Sequence, residues 1–421
     1  MKYKSVRGTK DIYGDGVSAQ QFIEEKSREI FELYGYKEIR TPIFEETNLF
    51  IRSIGEQTDI ITKEMYSFND KKGRNLTLRP EGTAPIVRAY IEHRLDLQPG
   101  MNRLFYTGQM FRYERPQSGR YREFWQIGAE CFSSDKIFSS IEVVSLAVQL
   151  LAGFQITEYT LHINSLGCTE CRKDFVEALT EFAQLKSAEL CDDCRIRLKN
   201  NTLRILDCKQ SSCKSVLQNA PKITEHLDEN CKLEYKKLKE ELTLNGINFT
   251  EEKNLVRGLD YYNSFVFEIT SPLLGSQDAV LAGGRYDSLV KDLGGQNIPA
   301  VGFALGIERI AVMLTCKAKS YLPKQKNTLY LISVGKDTQS ESFRVAKELR
   351  DKGLKIIFDN EHQSLKASLR QANKLDIRFV LILGEEELKQ NKIMLKDLKE
   401  NTQQLLSKDE IVQNFQGNKY G

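Results

Sequence analysis

Apolar positions recur with helical spacing over residues 18–34, where Phe22, Ile23, Ile30 and Tyr34 share one face. Ser18 and Gln21 have capping-box spacing there, so the helix is expected to start at Ser18. Residues 36–44 read as a strand broken by Pro42. Over 76–90 an extended segment turns at Pro80-Glu81-Gly82 and enters a helix. Residues 104–130 read as two strands around a polar stretch holding Pro116 and Gly119, the pattern of a hairpin. A helix over 141–152 and a strand over 159–163 follow. From 168 to 249 the texture changes to mixed-charge helices that carry cysteines, which reads as an inserted helical module. Strand texture returns over 265–270 and 279–282, and residues 302–314 read as a helix entered through small residues.

Strands joined by hairpins with helices outside predict an α+β fold built on an antiparallel sheet. A polar stretch with Pro323 follows Ala318. Beyond it the pattern alternates: strand 329–334, helix 338–351, strand 354–358, helix 364–375, strand 379–383, a strand near Ile393 and a helix over 407–415. That alternation predicts a separate small α/β domain with a mainly parallel sheet. The expected organisation is a domain over 1–320, interrupted by the module at 168–249, and a second domain over 327–421.

Composition adds little to this picture. The chain has 421 residues, with 61 Lys and Arg against 58 Asp and Glu, so a nucleic-acid partner would have to be met by local patches. Residues 327–421 are equally balanced, with 16 basic against 14 acidic side chains. No apolar run approaches the ~20 residues of a membrane span, and the first residues lack the apolar core of a signal peptide. The reading is cytoplasmic, which makes the nine cysteines thiols or metal ligands rather than disulfides.

The candidate chemistry begins at the hairpin, FRYERPQSGRYREFWQIGAE over 111–130. It gathers Arg112, Arg115, Arg120 and Arg122 with Glu114, Glu123 and Glu130. Guanidinium forks match phosphate oxygens in pairs, and nearby aromatic rings can stack on a base. The alternation of charge equally fits a solvated, salt-bridged hairpin. In RPEGT, Glu81 and Thr83 lie one residue apart on an extended segment and point the same way. They can grip an ammonium group or cap the helix that follows. In LVRGLDYY, Arg257 precedes a glycine, and Tyr261 and Tyr262 offer donors and acceptors to a polar ring. A strand-start turn with Arg257 paired to Asp260 fits as well. In AGGRYDSLV and AVGFALGIERI, small residues allow close backbone approach. Arg309 falls in an apolar helix, where it needs an anion or a carboxylate such as Glu308.

The succession RPEGT, FRYERPQSGRYREFWQIGAE, LVRGLDYY, AGGRYD and GFALGIERI closely resembles the bacterial histidyl-tRNA synthetases, which are class II aminoacyl-tRNA synthetases. The resemblance covers essentially the full length, and LVRGLDYY is its most specific part. It implies a class II antiparallel-sheet catalytic domain and a C-terminal anticodon-binding domain. It also implies a cytoplasmic homodimer formed through GYKEIRTPIFEETNLF around Pro42, and a reaction joining L-histidine, ATP with Mg2+, and tRNA(His). Arg112 and Arg257 would be the catalytic cations at the α-phosphate. Glu114 would sit by the adenine, Phe124 would stack on it, and Arg120 and Arg309 would hold the outer phosphates. Glu81, Thr83, Gln126, Glu130, Tyr261 and Tyr262 would bind histidine. Arg115 and Gln117 would lie near the tRNA acceptor end. Because the carboxylate of histidine is itself the attacking nucleophile, positioning and electrostatics carry such a reaction.

Cys168 and Cys171, then Cys191 and Cys194 nineteen residues further on, have the spacing of a structural zinc site. Buried reduced thiols fit the same pattern, and Cys208, Cys213 and Cys231 leave other groupings open. Cys131 and Cys316 lie outside this cluster and are expected in the core. The competing reading is the catalytically silent paralogue that serves as a regulatory subunit of ATP phosphoribosyltransferase. That paralogue typically lacks the C-terminal domain and degrades the arginine motifs, whereas Arg112, Arg257 and Arg309 are all present here.

Overall fold

The computed structural model describes residues 3–117, 119–275, 278–316, 328–335, 338–359 and 364–416. The polar stretch around Pro323 and the side chain of Cys316 lie outside them. The chain divides into two compact units, Met1–Leu322 and Pro323–Gly421.

The first unit opens with helix α1 (Asp15–Leu33), whose buried residues Ala19, Ile23, Ile30 and Phe31 repeat at helical spacing. The expected capping box is absent. Gly14, at φ 56°, takes the N-cap position without a side-chain bond, so Ser18 lies inside the helix. The segment around Pro42 splits into strands β1 (Lys37–Glu38) and β2 (Phe44–Glu46), followed by α2 (Thr47–Ile54). β3 (Tyr66–Asn69) and β4 (Asn75–Leu78) join β2 in a small antiparallel sheet of order β2-β4-β3. The chain then enters α3 (Thr83–Glu92).

The hairpin forms as expected, from β5 (Arg103–Phe111) and β6 (Glu123–Phe132). α4 (Lys136–Gly153) is capped by Asp135, whose carboxylate accepts the amides of Ile137 and Phe138, a cap worth ~1 kcal/mol. α4 is long and apolar enough to pass for a membrane span by composition. Its Val144, Ala147 and Leu151 are instead buried in the core, and it packs on α1.

After β7 (Thr160–Ser165) come α5 (Thr169–Leu185), α6 (Asp192–Asn200), α7 (Ser211–Leu217) and α8 (Glu229–Leu244). β8 (Thr250–Glu251), β9 (Asn263–Thr270), β10 (Ala279–Arg285), α9 (Leu289–Asp292), β11 (Ala300–Gly306) and α10 (Ile307–Cys316) complete the unit. The helix expected over 302–314 is therefore wrong in its first turn. Residues 302–306 lie in β11, flanked by β6 and β10 in an eight-stranded sheet of order β1-β5-β6-β11-β10-β9-β7-β8. A short apolar run buried on both faces has no periodicity of its own, and strand pairing decides its conformation. Neighbours in this sheet are antiparallel except β1 with β5 and β7 with β8.

Alternation along the strands separates the two faces of the sheet. Phe105, Ile127, Ala129, Phe267 and Phe303 join the core under α1, α4, α8 and α10. Phe124, Gln126, Gly128 and Glu130 alternate with these on β6 and point the other way.

The cysteine grouping also differs from the expected zinc set. Cys168 and Cys171 gather with Asp228 and Cys231, whereas Cys191 and Cys194 gather with Cys208 and Cys213. Two CxxC pairs at the starts of different helices are each completed by residues from later elements. Cys131 is buried in the core, as expected.

The second unit runs β12 (Thr328–Ser333), α11 (Gln339–Asp351), β13 (Lys355–Phe358), α12 (Leu365–Lys374), β14 (Phe379–Leu383), α13 (Glu385–Lys389), β15 (Ile393–Asp397), β16 (Thr402–Leu406) and α14 (Lys408–Gln416). Its sheet order is β13-β12-β14-β15-β16. The first three strands are parallel and the last two antiparallel, so the sheet is less uniformly parallel than the pattern predicts.

Candidate active site

The outward face of the large sheet forms the floor of an open cleft of about 980 Å³, solvent at its mouth included. Small residues make that floor. Gly306 of β11 pairs with Gln126, and Ala304 of the same strand lies between Gly128 and Ala282. Larger side chains, all polar but Phe124, wall the cleft: Glu81, Thr83, Arg112, Glu114, Arg120, Phe124, Gln126, Arg257, Tyr261, Tyr262 and Arg309. Eleven of the residues singled out by motif thus meet in one place. Glu130 lies directly beneath, 1% exposed. Arg115 and Gln117 are exposed on the hairpin loop and take no part in the lining.

One end of the cleft is cationic. Arg112 donates from Nε to the carbonyl of Pro80 at 2.8 Å and stands over the Phe124 ring, 5.5 Å from its centroid. Arg120 pairs with Glu114, which lies 3.9 Å from Arg112. Arg309 reaches from α10 and donates to the carbonyl of Ala279. Burial lowers the pKa of Arg309, and repulsion from Arg120 and Arg112 lowers it further. Burial likewise lowers Arg120. Guanidiniums that repel one another above a small-residue floor favour a polyanion between them. The fourth hairpin arginine behaves differently. Arg122 lies 3.7 Å from the Tyr113 ring centroid and donates to the Glu114 carbonyl, a bracing role within the loop.

The other end is a buried network of carboxyls and hydroxyls. Glu81 accepts the amides of Thr83 at 2.7 Å and Ala84 at 2.9 Å, so it is Glu81, not Thr83, that caps α3. That frees the Thr83 hydroxyl, which donates to Glu130 at 2.8 Å. The Tyr286 hydroxyl donates to the other Glu130 oxygen, and Tyr261 reaches Glu81 at 3.4 Å. Burial raises Glu81 and pushes Glu130 up to about 8, with the Glu81 carboxylate adding to the rise in Glu130. Burial also pushes Tyr262 up to about 12. Gly302 sits opposite Glu130 on the neighbouring strand, where a Cβ would overlap the Glu130 carboxyl. A buried carboxyl pushed toward its neutral form beside tyrosine hydroxyls can read a small polar ring atom by atom.

Arg257 connects the two ends. It pairs with Glu268 of β9 at 2.5 Å, and not with Asp260. Burial works against its charge, and the Glu268 carboxylate together with Tyr262 and Asp207 outweighs it, leaving its pKa raised. Asp260 is held by Asn201 at 3.0 Å instead. Two participants carry no local mark in the sequence. Tyr286 follows Arg285 in AGGRYD, and Glu268 is the lone carboxylate in the apolar strand FVFEI. Glu308, expected beside Arg309, instead accepts the Trp125 amide at 3.0 and 3.2 Å.

Comparisons with known proteins agree with this geometry. A family model described as histidyl-tRNA synthetase matches residues 8–310, and one described as an anticodon binding domain matches 328–418. A histidine–tRNA ligase of Thermosipho melanesiensis is 45% identical over 410 residues, 97% of each chain. One of Thermoanaerobacter pseudethanolicus is 44% identical over 414 residues, 98% of this chain and 99% of its own. The crystal structure of apo S. aureus histidyl-tRNA synthetase superposes with a TM-score of 0.81 at 35% identity, covering 98% of this chain and 99% of that one. With both units matched by family models and its relatives covering nearly the whole length, this chain belongs to the histidyl-tRNA synthetase family.

Proposed function

We infer that the cleft carries out both half-reactions of a histidine–tRNA ligase. The enzyme joins L-histidine to ATP as histidyl-adenylate, releasing pyrophosphate, and then passes the histidyl group to the 3′ end of tRNA(His). The observation that carries this reading is the shared cleft: Arg112, Arg120 and Arg309 converge at one end, and the Glu81–Thr83–Glu130 network closes the other.

In this reading Arg120 and Arg309 take the outer phosphates, and Phe124 stacks on the adenine with Glu114 beside it. Arg112 and Arg257 are the catalytic cations, flanking the α-phosphate as charge develops there. Glu81 and Thr83 bind the α-ammonium, Gln126 lies near the carboxylate, and Glu130 with Tyr261 and Tyr262 reads the imidazole. Mg2+ would enter bound to the ATP phosphates, which supply the hard oxygens it takes. Any zinc would be structural, since none of the described cysteines lines the cleft. Arg115 and Gln117, exposed on the hairpin loop, would meet the tRNA acceptor end.

Residues 1–320 are then the catalytic domain, with 168–249 inserted in it, and 327–421 contact the anticodon. A cytoplasmic homodimer fits the small sheet, where Phe44 and Phe68 are exposed and pack edge to face at 6.4 Å beside exposed Ile43. The test is ATP–pyrophosphate exchange with each amino acid in turn. Exchange with histidine alone is expected; none with any amino acid in folded protein would favour the regulatory paralogue.

A further inference from the structure

We propose that the segment between β7 and β8 holds two separate divalent metal ions of the zinc class, and that these sites seat it against residues 257–262. The first site is Cys191, Cys194, Cys208 and Cys213; the second is Cys168, Cys171, Cys231 and Asp228.

Within each group the four ligand atoms lie within 4.8 Å of one another. Four thiolates around a tetrahedral zinc at about 2.3 Å stand about 3.8 Å apart. In the first group Cys191 Sγ and Cys208 Sγ are 3.9 Å apart. Cys194, Cys208 and Cys213 are buried, none is in a disulfide, and the Cys191 amide donates to Cys213 Sγ at 3.2 Å. Four converging thiols offer one another only weak hydrogen bonds, and an amide pointing at sulfur suits a thiolate.

In the second group Asp228 Oδ2 is 3.3 Å from both Cys168 Sγ and Cys171 Sγ. Its other oxygen accepts the Cys231 amide at 2.7 Å, which fixes the carboxylate at the start of α8. The Asp228 amide in turn donates to Cys171 Sγ at 3.1 Å. Three sulfurs with one carboxylate select zinc over magnesium or calcium.

The local chain needs such staples. α6 and α7 are nine and seven residues long, below the length at which a helix holds by itself. Metal binding would supply folding free energy here.

Both sites abut the segment that carries Arg257, Tyr261 and Tyr262. Arg172, next to Cys171, donates to the carbonyls of Tyr262 at 3.0 Å and Asp260 at 3.3 Å. Gly167, next to Cys168, accepts the Ser264 amide at 3.0 Å. Between Cys194 and Cys208, Asn201 holds Asp260, and Arg204 lies against Gly258 so closely that a Cβ there would stand 2.8 Å from its Nη1. Losing either metal therefore loosens the backbone of the histidine pocket. This seating rests on the assignment of 257–262 to histidine binding; the metal sites do not.

Elemental analysis of the full-length protein, purified without chelators, should give two zinc ions per chain. Cys208→Ser with Cys213→Ser should leave one, and so should Cys231→Ser with Asp228→Asn. A single ion indifferent to all four substitutions would return the grouping to Cys168, Cys171, Cys191 and Cys194 and overturn the proposal, as would finding none. Wild-type protein stripped of metal and titrated with Co2+ gives a reading that does not depend on variants folding. Thiolate-to-cobalt absorption should grow to two equivalents, and saturation at one overturns the proposal. Metal loss should raise the histidine KM on the order of 10-fold or more and, through Arg257, lower kcat as well. Unchanged histidine kinetics in metal-free enzyme would refute the seating. Absence of any exchange in the two-zinc wild type would refute the assigned activity and leave the metal sites standing.

Discussion

The Thr83 hydroxyl donates to the Glu130 carboxyl across 2.8 Å, tying the first turn of α3 to a buried position on β6. Glu130 ordinarily titrates near 4.5, and burial pushes it to about 8. Its folded-state pKa is therefore raised. Stability drawn from the neutral carboxyl is complete below the unfolded value near 4.5 and is lost as pH rises through 8. Glu130→Gln keeps the shape and removes the titration. The wild-type thermal midpoint should fall relative to the variant between about pH 5 and about pH 9. A constant difference between the two across that range would show that Glu130 is already ionised.

Tyr286 donates to the second Glu130 oxygen and packs edge-on against Tyr261 and Tyr262, with ring centroids 5.6 and 6.4 Å away. Tyr286→Phe preserves these ring contacts and strips one donor from a buried carboxyl. Leaving such a group unsatisfied costs about 1–3 kcal/mol, so the histidine KM should rise roughly 10-fold to 100-fold. The ATP KM should stay near wild type. Steady-state exchange kinetics decide the matter, and an unchanged histidine KM would remove Tyr286 from recognition.

The parts that were legible are those where a strong local signal and the tertiary structure agree. The 111–130 hairpin has turn residues between alternating strands, and β12 to β14 alternate with helices. Residues 302–306 were misread because an Ala/Gly-rich apolar run carries no period, and its partners β6 and β10 come from far along the chain. The CxxC spacings single out cysteines that gather in the fold, yet spacing alone does not say that Cys208 and Cys213 join one group and Cys231 the other. Glu268 was hidden for a related reason. Strand alternation places its side chain on the cleft face, but nothing local reveals that Arg257 lies opposite.

Phe124 lies beneath Arg112, 5.5 Å from the guanidinium, and in the proposed site it would also be the platform for a base. Base–aromatic stacking is worth about 1–3 kcal/mol, so Phe124→Ala should raise the ATP KM roughly 10-fold or more. Freeing Arg112 should also lower kcat, which loss of stacking alone would not do. Phe124→Tyr should restore most of both. A variant with a raised ATP KM and wild-type kcat would show that the ring does not position Arg112.

Arg257 stands 2.5 Å from Glu268, which complicates any simple test of the cation. Arg257→His should lower adenylate formation by about 10²–10³, the cost of removing one preorganised group that meets developing charge. The same loss would follow if the damage came from Glu268, left half-buried at the cleft without its partner and repelling the nucleotide. The two causes separate in a double variant. Arg257→Gln with Glu268→Gln removes the stranded carboxylate together with the cation. If Arg257 acts on the reacting phosphate, the double variant stays as slow as Arg257→Gln in single-turnover adenylate formation. If instead the pair serves only to neutralise itself, the double variant recovers most of the lost rate, and the catalytic role assigned to Arg257 falls.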